Sequence, residues 1–536
     1  MRKWFEKAHG VIIWTIAIAF VAGIVIWSLT SYFSARKSKI EYSLSDSVAF
    51  LTKDGTALNS DYWIFPWDLE KSYSQALSYY KLTDVDPVFE EPMLKTSLLN
   101  DLIDTKVVLY YAEISNIRPS KSEIKDELEK QVSKIKENEN LLKYVEQNFG
   151  GLENYKKSIE ADIIKYLTIS KVKNKIAKID EKQMEEYYES HKEELMNKYD
   201  SANVDFVSFS TQASANNFIT KALIDGFEKA ATDLNVSIQK YPNLKRGILD
   251  KKFEETIFST PNTVVGPVPL GSNFFVFYVN DLTNVDTFEK FSLSQGYQDV
   301  LNQLQGEKFR NEIEKFKKDN NVGVVINNEV YRVWNEVLTK SGTDLLNVYK
   351  NLNGMVFDFN SNMVKEDVPV EIKAAFVTLV DKMIKDASFT NSEIIDDAKK
   401  ESDIVLKSVY KDYPESFIAT KKMKEQYPDR KDVLFNYYTK LYSKIKPYIE
   451  YGMLQNVMND FIDLYGGLTT LSEATDISLN QKAEVLYNLY EINKMLKDAT
   501  TAKQYLEKLK EATPTYMDFD AAFNELNFMK NATSTN

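Results

Sequence analysis

The chain has no cysteine in 536 residues. Disulfides, thiolate-ligated zinc and thiol nucleophiles are excluded together. Histidine is scarce too, limited to His9 and His191. Two distant imidazoles give no ready route to a catalytic triad or a histidine-built zinc site. There is no Walker A sequence, no G-x-G-x-x-G, no H-E-x-x-H and no G-x-S-x-G elbow. Basic residues do not prevail: 67 Lys and Arg face 79 Asp and Glu, for a net charge of −12. The two signs are interspersed, so the basic patch that nucleic-acid binding requires is missing. Paired carboxylates such as Glu185-Glu186 and Asp396-Asp397 fall in helical patterns and read as solvated charge. The sequence therefore assigns no catalytic, cofactor-binding or metal-binding residue, and no cofactor is expected.

Long apolar runs are also lacking, with one exception. Val11 to Leu29 is apolar except for Thr15 and Ser28 and carries no charge. Its 19 residues, at ~1.5 Å each, give about 28 Å, close to the ~30 Å hydrocarbon core of a bilayer. Trp14 and Trp27 lie near its two ends, where indoles favour the interface. A cleaved signal peptide has a shorter apolar run and a small-residue site behind it. Ser31-Tyr32-Phe33-Ser34 offers no such site, so an uncleaved anchor through residues 11–29 is expected. Arg2, Lys3 and Lys7 before the run balance Arg36, Lys37 and Lys39 after it, which leaves charge silent on orientation.

What remains is long enough for three or four domains at ~100–200 residues each. Its 43% hydrophobic and 27% charged composition is ordinary for packed domains. Met93 to Leu195 reads as four amphipathic helices. Leu99, Leu102, Ile103, Val107, Tyr110, Tyr111 and Ile114 lay one apolar stripe along the first. Ser120 with Glu123 is a capping box opening the second, whose stripe is Ile124, Leu128, Val132 and Ile135. Gly150-Gly151 breaks the pattern. Leu152, Tyr155, Ile159, Ile163, Tyr166 and Leu167 mark the third helix. Asp180 with Gln183 is a second capping box, opening the fourth.

Three stretches carry a resemblance: Leu99 to Lys106, Ile117 to Glu123, and Phe149 to Tyr155. Together they are similar to the N-terminal chaperone domain of the SurA/PpiD/PrsA family. Ile179 to Leu195 resembles the linker helix that leads into those proteins' parvulin domain. Ahead of it, Asp61 to Phe65 reads as a short strand, followed by a helix through Tyr73, Leu77 and Tyr80. Trp63, Phe65 and Trp67 are expected to pack into the domain, an exposed client-binding patch being the other reading.

Ser201 to Leu282 changes character. Val204 to Phe209 alternates as a half-buried strand does. Phe218 to Ala231 marks a helix, Lys251 to Phe258 a short second one, and Val264 to Leu270 and Asn273 to Asp281 two strands. The order read is β-α-α-β-β. Phe253 to Val268, with a turn at Gly266-Pro267-Val268, resembles the closing half of a parvulin prolyl isomerase domain. Active members carry a His on the first strand and another on the last. Those positions fall near Asp205 and Phe275, within a residue, and neither His9 nor His191 can stand in. The segment after the second family helix is shortened to Asn243 to Gly247. The resemblance thus implies a degenerate parvulin (PpiC-type) domain. Phe206, Phe274, Phe275 and Phe277 are read as core.

Thr287 to Asn321 returns to helix. By resemblance it packs back against the Met93–Leu195 helices, which makes the parvulin-like unit an insertion. Residues 328–536 are helical in pattern, punctuated by Tyr413-Pro414, Tyr427-Pro428 and Thr513-Pro514. Ala483, Leu486, Leu489, Tyr490, Ala502, Leu506, Leu509 and Pro514 fall near the positions of one tetratricopeptide repeat. A plain helical bundle is the competing reading.

The expected fold is mainly α, with a small α+β parvulin-like insertion, an N-terminal transmembrane helix and a C-terminal helical, TPR-like domain. The expected divisions are 1–36 anchor, 37–200 chaperone domain, 201–282 insertion, 283–327 helical return and 328–536 TPR-like domain. The resemblance implies a periplasmic chaperone anchored in the inner membrane as PpiD is, with the bulk of the chain outside the cytoplasm. Its expected partners are unfolded or nascent envelope proteins, with the translocation machinery as a further candidate. An active peptidyl-prolyl cis-trans isomerase and an envelope scaffold or adaptor are the alternatives.

Overall fold

The computed structural model describes residues 42–259, 261–358, 361, 363–386 and 392–533. The apolar run at 11–29 lies outside the described residues. Among the described residues, no helix is long and apolar enough to cross a membrane. The molecule is mainly helical, at 68%, and divides into two compact units, one containing residues 107–322 and the other residues 39–106 and 323–536.

In the first unit, the helices Lys121–Lys136, Glu139–Phe149 and Leu152–Ile176 form one layer. The Ser120 box is complete: Ser120 Oγ accepts from the Glu123 N–H at 3.2 Å, and Glu123 Oε2 accepts from the Ser120 N–H at 2.7 Å. Asn138 caps the next helix, which ends at Gly150 with φ +69°. A left-handed residue at a helix C-terminus costs a glycine little and other residues more. The layer closes on Ile135, Val145, Phe149, Tyr155, Ile159 and Ile163. The helix Glu139–Phe149 is an addition to the four expected from the sequence. The helix Glu181–Tyr199 opens on the Asp180 box. It packs on Phe288–Ser292 and Gln295–Asp319 through Met184, Tyr188, Leu195, Val285, Phe291 and Val300. Phe316 of the last helix meets the ring of Tyr111 edge-on at 5.0 Å.

Between Tyr199 and Val285 stands a separate α+β body. Its elements are β1 Ser201–Phe209, α1 Gln212–Asp225, α2 Phe227–Asp233, β2 Gln239–Lys245, α3 Lys251–Ile257, β3 Val264–Leu270 and β4 Asn273–Thr283. The sheet is antiparallel with order β2-β1-β4-β3. One strand and one helix break were missed in the sequence: β2 is a true strand, and Gly226 (φ +93°) splits the first expected helix into α1 and α2. The Gly266-Pro267-Val268 stretch is not a turn but an irregularity inside β3, where the register against β4 shifts between Val265 and Val268. Gly266 has φ +150°, and a Cβ there would come within 2.9 Å of the Phe275 carbonyl oxygen. The bulge therefore demands glycine.

The second unit holds a small sheet in which Ala49–Lys53 pairs with Thr56–Ala57, Trp63–Ile64 and Val322–Ile326. A first helical core gathers around Trp334, whose Nε1 donates to the Glu371 carbonyl at 3.0 Å. A second runs through the consecutive helices Lys431–Glu450, Met458–Glu473, Leu479–Met495, Ala499–Ala512 and Phe519–Thr533. Ala483, Leu486, Leu489, Tyr490, Ala502, Leu506 and Leu509 are all buried in it. Helices stop before Tyr413-Pro414, Tyr427-Pro428 and Thr513-Pro514.

Candidate functional site

The alternation of β1 sorts its side chains between two cores. Val207 and Phe209 face α1 and α2, with Phe218, Phe227 and Val276. Val204 and Phe206 face the other way, with Phe253, Phe258, Phe275 and Phe277. Asp205 therefore lies on the face covered by α1 and α2, while Phe275 lies on the opposite one, against α3. The pair of positions expected from the sequence is thus not brought together. In the register, Phe206 stands opposite Phe277, and Phe275 opposite Ser208. The Phe206 ring is 5.9 Å from both Phe275 and Phe277.

The rim of the face is set by two buried carboxylates. Asp200 is fully buried at the end of the helix Glu181–Tyr199. Its Oδ2 accepts from Arg246 Nε at 2.6 Å, and its Oδ1 accepts from the Val285 N–H at 2.8 Å. The Arg246 guanidinium in turn lies 4.6 Å from the centre of the Phe258 ring. Burial pushes the Asp200 carboxyl up, and the Arg246 hydrogen bond pulls it back. Glu254, also buried, accepts at Oε1 from the Ile248 and Leu249 N–H groups, both at 3.0 Å. The short loop after β2 is therefore held from both ends, with Ile248 about half exposed (53%) and Leu249 packed in the same cluster as the half-buried Phe206, Phe253 and Phe275. Sequence reasoning missed Asp200, Arg246 and Glu254. Nothing in the sequence singled them out from the many other charged residues of the body, such as Lys240, Lys245, Asp250 and Glu255.

His191 is far from this chemistry. It sits at a kink in its helix (φ −122°), stacked on Tyr187 at 4.0 Å, with Nδ1 facing the Tyr187 carbonyl at 3.0 Å. Among the described residues, no group of His, Asp and Glu is arranged to hold a metal ion.

Residues 179–292 match the family model described as the PPIC-type PPIASE domain. The match spans the helix Glu181–Tyr199, the whole α+β body and the helix Phe288–Ser292, so the chain carries a parvulin-type domain. No curated protein matches the sequence. Among solved structures, the chain is similar to a SurA-like chaperone of Campylobacter jejuni, with 14% identity over 52% of this chain and 98% of that one and a TM-score of 0.24. It is also similar to the peptidylprolyl isomerase PrsA of Bacillus cereus (14% identity, 58% and 99% covered, TM-score 0.20). The foldase PrsA of Lactococcus lactis gives 13% identity, 51% and 94% covered, and a TM-score of 0.20.

Proposed function

We propose that the chain is a chaperone of the cell envelope, anchored in the inner membrane through residues 11–29, that captures unfolded or newly translocated proteins. The observation that carries this reading is the pair of half-buried phenylalanines, Phe206 and Phe275, on one face of a parvulin-type domain, with Phe277 buried beneath them. Such a face binds apolar segments through many weak contacts and tolerates varied sequences. The helices Lys121–Lys136 to Leu152–Ile176, and the C-terminal helices in their TPR-like reading, would supply further client surface. The anchor would hold the molecule where clients emerge and raise their effective concentration.

The test is suppression of aggregation of an unfolded client by the full chain, compared with a Phe206→Ser/Phe275→Ser variant. Suppression that the variant loses supports the reading. A full chain that leaves client aggregation unchanged overturns it.

The match to the PPIC-type model favours a second reading, prolyl isomerisation. That reaction needs no nucleophile or metal, only a site that takes the prolyl ring and a desolvated, twisted amide. Proline-limited refolding of a test protein separates the two: no acceleration at stoichiometric chain rejects the isomerase.

A further inference from the structure

Immediately after the undescribed residues 1–41, the structure presents an aromatic cluster on the surface of the second unit. Phe65 and Trp67 are stacked at 4.4 Å with 10° between their planes. Tyr42 closes on both, at 4.6 Å from Trp67 and 5.4 Å from Phe65. Tyr42 is 48% exposed and Trp67 46%. The expectation that Trp67 packs into its domain is corrected here: its partners are the other two rings. Trp63, by contrast, is turned inward enough for its Nε1 to donate to the Leu58 carbonyl at 2.8 Å. The helix start that carries Phe65 and Trp67 is fixed locally. Pro66 opens the helix Pro66–Tyr80, and the Asp68 carboxylate accepts from the Phe65 N–H at 3.0 Å.

We propose that Tyr42, Phe65 and Trp67 seat in the headgroup interface of the bilayer that holds the chain's N-terminal apolar run. This rests on the anchor reading above. Twelve residues, 30–41, separate the end of that run from Tyr42. Fully extended they reach at most about 45 Å. They include Arg36, Lys37 and Lys39 against one acid, Glu41, and the aromatics Tyr32 and Phe33. Cations next to a span favour anionic headgroups, and Trp and Tyr favour the interface because one end of each ring system is apolar and the other polar. The tether decides between a bilayer and a soluble partner. A linker this short gives the cluster an effective concentration at the membrane on the order of millimolar or above. Weak partitioning then suffices, whereas a diffusing partner would have to displace it.

The absence of cysteine makes the test clean. A Ser45→Cys variant of the full chain, labelled with an environment-sensitive fluorophore, is reconstituted in phosphatidylcholine vesicles with and without phosphatidylglycerol. The acyl chains are brominated to quench at short range. The expected result is quenching at position 45 that falls about threefold or more when Tyr42→Ser and Trp67→Ser are added, with the helical circular dichroism unchanged. A chain that floats with the vesicles but shows equal, weak quenching with and without the two substitutions keeps the anchor and overturns the interface contact. A chain that does not float with vesicles overturns both.

Discussion

Asp200 Oδ2 accepts a hydrogen bond from Arg246 Nε at 2.6 Å, while Asp200 Oδ1 accepts from the Val285 N–H at 2.8 Å. One buried carboxylate thus joins the start of β1, the loop after β2 and the chain leaving β4. Asp200→Ala leaves the mostly buried Arg246 without its anion and the Val285 N–H without an acceptor. Removing one member of a buried pair costs about 3–5 kcal/mol. Asp200→Asn keeps the acceptor for Val285 and is expected to cost about half as much. Urea unfolding, followed by hydrogen exchange at the amides of β1 and β4, checks this. Equal midpoints for the Ala variant and the parent would show that the carboxylate ties nothing together.

Asp86 plays a related part in the second unit. Its Oδ1 accepts from the Val88 and Phe89 N–H groups, both at 3.1 Å. Its Oδ2 accepts from Ser416 Oγ at 2.7 Å and from the Ile418 N–H at 3.1 Å. Ser416 is itself the cap of the helix Phe417–Gln426. One side chain therefore satisfies orphan donors at the starts of two helices more than 300 positions apart. Asp86→Ala is expected to cost about 2–4 kcal/mol, as the loss of a cap plus an unsatisfied buried hydroxyl. Thermal unfolding reads it. A shift no larger than that of an exposed control such as Asp396→Ala would contradict the assignment.

Much of this was legible where a local rule coincides with the global fold. Ser120 and Asp180 announce helix starts because the capping side chains act within four residues, and both boxes form as read. The strand β2 was not legible. Six of its seven residues are not buried, only Leu244 is, and Pro242 lies within it. At the edge of a sheet a strand needs neither alternation nor every N–H, so no pattern marks it. The helix Glu139–Phe149 did leave a trace: Asn138 at its cap, and Leu141, Leu142, Val145 and Phe149 at helical spacing. The candidate face suffered from the period of two. Moving an assignment by one residue on β1 exchanges Asp205 for Phe206 and one face for the other. Sequence similarity that fixes a position only to within a residue cannot choose between faces; the register against β4 shows only that Phe206, and not Asp205, shares a face with Phe275.

Two carboxylates give opposite pH slopes. Glu123 accepts from the Ser120 N–H and bridges to Lys171 Nζ at 2.8 Å. The Lys171 hydrogen bond, then those of Ser120, hold its carboxyl down at about 2, against 4.5 normally. The unfolded chain binds the proton more readily, so this contribution is present above pH 4.5 and is lost as pH falls toward 2. For Asp200, burial raises the carboxyl above 3.8. The folded chain then binds the proton more readily, so its contribution is largest below 3.8 and declines as pH rises through the raised value. Glu123→Gln is expected to flatten the acid limb of the stability profile, and Asp200→Asn to steepen the net loss on acidification. Urea midpoints between pH 2.5 and 6 measure both. Identical profiles for the two variants would reject the assignment.

Lys173 lies near the end of the helix Leu152–Ile176, lining a small recess with Asn174, Ala177, Lys178 and Gln305. Burial pushes its amine down to about 8 from 10.5. Below pH 8 both folded and unfolded chains carry the charge, and the folded one bears the cost of burying it. As pH rises from 8 toward 10.5 the folded chain sheds the proton first, so stability rises over that window. The same shift has a kinetic reading. At pH 7.5 the neutral fraction of such an amine is on the order of a hundredfold above that of an ordinary lysine. Limited acylation at pH 7.5, read by peptide mapping, is expected to modify Lys173 ahead of the more exposed Lys175 and Lys178 by at least about tenfold. The preference should shrink at pH 10.5, where ordinary lysines also lose their protons. Modification in order of exposure at both pH values would show that burial does not make the Lys173 amine easier to deprotonate.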